Sequence, residues 1–82
     1  MPHVVITGAQ GREFTGGAGE FDVAADTVRR MIIELDDRFP GFGEFIDRRM
    51  AIAIDGEIHQ DAYAAALRPD SEVFLIPKIG GG

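Results

Sequence analysis

The sequence has no cysteine. That removes disulfides, thiolate metal sites and cysteine nucleophiles, and it fits a reducing compartment. Basic residues are also few: eight against fourteen acids, for a net charge of -6. The nearest thing to a basic cluster is Arg29-Arg30 or Arg48-Arg49, and acids flank both pairs. A polyanion is repelled by such a surface, so nucleic acid is not an expected partner. The acidity either steers the chain towards a basic docking face or serves only to keep a small domain soluble. No apolar run approaches the roughly 20 residues of a membrane span. The first residues, Met1-Pro2-His3-Val4-Val5-Ile6, lack the basic start and long apolar segment of a secretion signal. The expected location is the cytoplasm, with no membrane partner.

Histidine is scarce as well. His3 and His59 are the only two, and neither shows metal-pair spacing, so no metal site is expected. The run Gly16-Gly17-Ala18-Gly19 lacks the Gly-Lys-Ser/Thr ending of a phosphate loop and precedes a strand pattern rather than a helix, so it reads as a loop or bulge. Asp36-Asp37 and the scattered glutamates read as a solvated face, with nothing pairing two carboxylates as acid and base. Eighty-two residues make one domain. A chain of that size buries only roughly 60–65% of its unfolded surface, which leaves little room for a substrate pocket and weighs against an independent enzyme.

What is present is a well-punctuated series of elements. His3 to Thr7 is a β-branched, apolar strand stopped at the turn Gly8-Ala9-Gln10-Gly11. Arg12 to Ala24 reads as the second arm of a hairpin, interrupted at Gly16 to Gly19, with Glu20-Phe21-Asp22-Val23-Ala24 alternating polar and apolar. Asp26 or Thr27 can cap a helix. Beyond them Val28, Met31, Ile32, Leu35 and Phe39 form one apolar stripe, and Pro40 stops it. Phe42, Phe45, Ile46 and Met50 suit a short second helix over one end of the core. Met50 to Ile54 reads as a strand, Asp55-Gly56 as a type I′ turn and Glu57-Ile58-His59 as the returning strand. Asp61 to Arg68 suits a helical turn around Tyr63 and Leu67, and Pro69-Asp70-Ser71 a turn. Glu72 to Ile76 reads as a central strand ended by Pro77. The expected fold class is α+β: a mixed sheet of about five strands on one main helix, with first and last strands parallel, which is the β-grasp, ubiquitin-like arrangement. Residues 1–77 would form the domain and 78–82 a flexible tail.

The closing residues, Phe74-Leu75-Ile76-Pro77-Lys78-Ile79-Gly80-Gly81-Gly82, resemble the end of the small subunit of molybdopterin synthase and its ubiquitin-like sulfur-carrier relatives. That family ends in a strand, a proline, an apolar spacer and a diglycine, here Pro77, Ile79 and Gly81-Gly82. Gly80 makes a triple glycine, and Lys78 stands where many members carry a second proline; both are departures. Ala9 to Phe14, Thr27-Val28-Arg29 and Leu67 to Val73 also resemble the family. The thiamin-pathway carrier shares the fold and tail but is typically shorter, so length favours the molybdopterin branch.

The resemblance implies a carrier that is not itself an enzyme and binds no cofactor. Its partner, an E1-like adenylating enzyme, would use ATP to activate the Gly82 carboxylate. A sulfur donor would then leave a thiocarboxylate, delivered to an acceptor such as the molybdopterin synthase large subunit, in molybdopterin biosynthesis. Thiamin or cysteine biosynthesis, a ubiquitin-like modifier joined to lysines through Gly82, and a passive β-grasp interaction module stand as alternatives. Glycines suit the tail because, lacking Cβ, they pass a narrow tunnel. At about 3.3–3.6 Å per residue, Lys78 to Gly82 reach roughly 16–18 Å. In the relatives the docking surface is the exposed sheet face near the tail. Strand alternation puts Phe74 and Ile76 there if Val73 and Leu75 face the helix, with Ile58 beside them. The competing arrangement covers Phe74 and Ile76 with the loop from Gln60 to Arg68.

Overall fold

The structure, a computed structural model, describes residues 1–78. Strand β1 (His3–Ile6) buries Val4 and Ile6 completely on one face. Gly8 then takes φ +89, and the chain enters helix α1 (Ala9–Phe14). This corrects the reading of 8–11 as a turn and of Arg12–Phe14 as strand. A glycine inside a six-residue segment argues against a helix by propensity, but Gly11 is buried and packs tightly. A β-carbon there would stand 2.9 Å from Ile6 Cγ2 and 3.3 Å from Met50 Cε. Tertiary contact therefore sets this segment: Phe14 stacks on Phe42 at 5.2 Å and meets Phe45 at 5.0 Å. The strand resumes only as β2 (Glu20–Asp22), antiparallel to β1 with Val4 opposite Phe21.

Helix α2 (Val28–Arg38) follows the predicted stripe, with Val28, Met31, Ile32 and Leu35 buried. Of the two candidate caps it uses Thr27, whose hydroxyl accepts from the Arg30 N–H at 3.1 Å. Helix α3 (Phe42–Arg49) is the short second helix, burying Phe42 and Ile46. Asp36, expected on a solvated face, joins the two helices: its Oδ1 accepts from the N–H groups of Gly41 and Gly43 at 3.1 and 2.9 Å. It thereby satisfies first-turn donors of α3 that have no partner inside the helix.

Strands β3 (Met50–Ile54) and β4 (Glu57–His59) form the predicted hairpin, with φ of +49 at Asp55 and +90 at Gly56. Residues 61–68 form no helix beyond a single turn at Tyr63, where the Ala65 N–H donates to the Ala62 carbonyl at 2.9 Å. The segment lies along the start of α2, where the carbonyls of Ala65 and Tyr63 accept from the N–H groups of Val28 and Arg29, and Ala66 bridges to Thr27. Strand β5 (Glu72–Pro77) includes the proline predicted to follow it. The sheet order is β2-β1-β5-β3-β4, with β5 parallel to β1 and antiparallel to β3. Val73, Leu75, Val4, Ile6 and Ile52 share one core with α2, which completes a β-grasp fold. No described helix is long and apolar enough to cross a membrane.

Candidate functional site

The sheet face turned away from α2 is set by the pleat. Val73 and Leu75 are fully buried on the helix side, so Phe74 and Ile76 stand on the other, both half-buried. Register then assembles a row across four strands: Val5 opposite Phe74, Phe74 opposite Ala53, Ala53 opposite Ile58. Ile76 lies one pleat further along, opposite Ala51. Ile58 is 67% exposed, among the most open of the large apolar side chains described. The loop from Gln60 to Arg68 sends hydrogen bonds to the start of α2, and its Gln60, Ala62 and Tyr63 line a cleft together with Ile58 and Ala51. Val5, Ala51 and Ala53 complete the patch. Strand alternation marks them as facing residues, but only the pairing register shows which of them adjoin Phe74 and Ile76.

The patch has an acidic border. On the same face of β1, His3 Nδ1 lies 3.0 Å from Asp22 Oδ1 and His3 Nε2 lies 2.7 Å from Glu20 Oε1. A carboxylate only accepts, so both ring nitrogens donate together only as imidazolium. Asp22 first, then Glu20, raise the His3 pKa above its ordinary value of 6.5. The sequence reading of His3 as an ordinary strand position missed this cluster. Its acids come from a strand about twenty residues away.

At the end of β5, Pro77 is exposed and sits opposite Met50. Lys78 follows, and it is tied to the end of α3. Its backbone N–H donates to the Arg49 carbonyl at 2.9 Å, and its Nζ donates to the Asp47 carbonyl at 3.1 Å. Both acceptors belong to the last turn of α3, where carbonyls lack partners within the helix and favour a nearby cation. Gly80, Gly81 and Gly82, predicted as tail and reacting group, lie outside the described residues.

A cleft beside this point, lined by Ile46, Met50, Ile52 and Ala62, carries one further polar pair. The Tyr63 hydroxyl donates to Asp47 Oδ1, which pushes the tyrosine pKa up to about 12. Among the described residues no group of three His, Asp or Glu side chains could hold a metal ion; Asp22 and Glu20 sit on opposite ring nitrogens of His3.

Comparison with known proteins agrees with this geometry. The profile of the ThiS family matches residues 8–82. No curated protein sequence matches the chain. Among solved structures it resembles the crystal structure of Mycobacterium tuberculosis CysO, described as an antigen. That likeness has 20% identity over 96% of this chain and 100% of the other, with a TM-score of 0.84. A chain of the Amycolatopsis orientalis BexX/CysO complex is 18% identical over the whole of both chains, with a TM-score of 0.85. The small archaeal modifier protein 1 of Methanosarcina acetivorans is 22% identical over 99% of this chain and 95% of the other, with a TM-score of 0.80.

Proposed function

The chain belongs to the ThiS family of ubiquitin-like sulfur carriers, and from that premise we propose that it carries sulfur as a thiocarboxylate on Gly82, for molybdopterin biosynthesis. The observation that supports this best is the placement of Pro77 and Lys78. The central strand β5 carries Phe74 and Ile76 on the sheet face turned away from α2, and in the sequence only Lys78 and Ile79 separate its end from the glycine run. A partner docked on that face lies where the tail departs.

The chemistry falls to partners. An E1-like adenylating enzyme lets the Gly82 carboxylate attack the α-phosphate of ATP, so that pyrophosphate leaves and a mixed anhydride with AMP remains. A hydrosulfide-level sulfur donor attacks the carbonyl carbon, the C–O bond to AMP breaks, and the thiocarboxylate is left. An acceptor enzyme such as the molybdopterin synthase large subunit then takes the sulfur and returns the carboxylate. The chain itself contributes the carbonyl carbon, the clearance of Gly80 and Gly81, and the docking face of Ile76, Phe74 and Ile58. It is a co-substrate rather than an enzyme, and ATP is consumed by its partner.

Intact-mass measurement tests this. Incubated with ATP, a sulfur source and an adenylating enzyme, the protein gains the mass of one sulfur in place of one oxygen, and deletion of Gly82 prevents it. Failure with the adenylating enzymes of the source organism overturns the proposal. The likeness to a modifier protein supports a second reading, conjugation to lysines through Gly82. Stable isopeptide products without thiocarboxylate favour that reading, whereas delivery to thiamin or cysteine precursors would redirect the pathway only.

A further inference from the structure

An activated carboxyl is exposed to every nucleophile near it, and this chain offers very few. Cysteine is absent. The hydroxyls are one serine, three threonines and one tyrosine, and all are engaged. Thr7 donates to the Leu75 carbonyl, Thr15 to the Arg12 carbonyl and Tyr63 to Asp47. Thr27 caps α2, and Ser71 is buried against Asp55.

Of the eight basic residues, seven are arginines. Three of them hold ion pairs one helical turn apart: Arg30 with Asp26, Arg38 with Glu34, Arg48 with Glu44. A guanidinium does not lose its proton in proteins, so it does not attack acyl groups. The one lysine is Lys78. It is exposed, and its amine rests on a neutral acceptor, the Asp47 carbonyl. One hydrogen bond to a surface carbonyl holds the amine in place without shielding it.

We infer that Lys78 is the acyl-acceptor site of this chain, and that the group it takes is the activated C-terminal carboxyl of a second copy; the inference rests on the carrier reading above. The Lys78 ammonium gives one proton to solvent. Its nitrogen attacks the carbonyl carbon of the other copy's acyl adenylate. The C–N bond forms, the C–O bond to phosphate breaks, AMP leaves and the nitrogen loses a second proton. The product is a branched dimer joined at the root of the recipient's tail.

The test needs no adenylating enzyme. Full-length protein carrying Lys78→Arg is prepared as a Gly82 thioester of 2-sulfanylethanesulfonate by intein cleavage. It is mixed at mildly alkaline pH with isotope-labelled acceptor, either the unaltered chain or K78R. The expected result is a mixed-isotope dimer with the unaltered acceptor, a Gly82–Lys78 isopeptide in its digest, and loss of that dimer with K78R. Arginine keeps a cation on the α3 terminus, so the variant preserves the fold. Equal dimer with K78R overturns the inference, as does mapping of the bond to the Met1 amine or a hydroxyl. So does the absence of dimer when the same thioester acylates free lysine amide. Because the thioester is made chemically, these results stand whether or not the cell adenylates Gly82. Failure of adenylation overturns the carrier reading, and failure of the isopeptide overturns only this inference.

Discussion

Gly8 and Pro77 touch: a β-carbon on Gly8 would stand 2.6 Å from Pro77 Cγ, at a backbone φ of +89. The bend after the first strand is thus moulded on the last residue of β5, at the point where the chain passes to Lys78. Gly8→Ala meets both the steric contact and the left-handed backbone, and is expected to cost about 1–3 kcal/mol. Gly16→Ala is the control, because Gly16 has φ +69 and nothing within 4 Å of its added carbon. Urea denaturation should show a larger loss for G8A than for G16A. Equal losses would mean that Pro77 moves aside at no cost.

The two faces of β5 should separate stability from docking. Leu75→Ala removes a fully buried side chain from the core and is expected to cost about 2–5 kcal/mol. Ile58→Asp replaces a side chain that is 67% exposed, so the denaturation midpoint should barely move. If the outer row docks the adenylating enzyme, I58D instead raises the KM for the carrier. An unchanged KM removes Ile58 from the interface.

His3 makes the β1–β2 edge pH-sensitive. Its folded pKa is raised by Asp22 and then Glu20, so its contribution is complete below about 6.5 and is lost as pH rises through the raised value. Stability relative to His3→Gln should shrink across that window. An imidazole NMR titration should place the midpoint above 6.5, with Asp22→Asn lowering it more than Glu20→Gln. A midpoint at or below 6.5 would contradict the geometry.

Asp55 behaves in the opposite sense. The Glu72 N–H donates to its Oδ1 at 2.9 Å, and Ser71 and Arg68 reach its Oδ2. These contacts, the Glu72 bond foremost, hold its pKa below 3.8. Its contribution is present above 3.8 and is lost as acid carries the pH through the lowered value. Asp55→Ala removes these bonds and puts alanine at positive φ, whereas Asp55→Asn tolerates that φ. Acid titration should flatten in both variants, while the loss at neutral pH should be larger in D55A.

Most of the fold can be read from the residues because local chemistry and tertiary packing agree there. The α2 stripe, the Thr27 cap, the Asp-Gly turn and the central apolar strand each carry their own signal. Helix α1 does not, since the close approach of Ile6 and Met50 to Gly11 holds it against poor propensity. The alanine-rich stretch before Leu67 fails for the converse reason: its backbone groups serve the first turn of α2 instead of a helix of their own. The outer sheet residues are readable from alternation, but their alignment into one row is a matter of register. The Lys78 contacts with α3 join residues about thirty positions apart, and nothing local announces them.

The central place of β5 also constrains the order of assembly. The strand that holds β1 to β3 is supplied by residues 72–77, so a growing chain makes the other four strands before the one that unites them. Until β5 is made, β1 and β3 have no strand that joins them. Partial chains therefore cannot align Val5, Phe74 and Ala53 in one row. The sheet is therefore completed only when residues 72–77 join it, whatever the earlier strands have done.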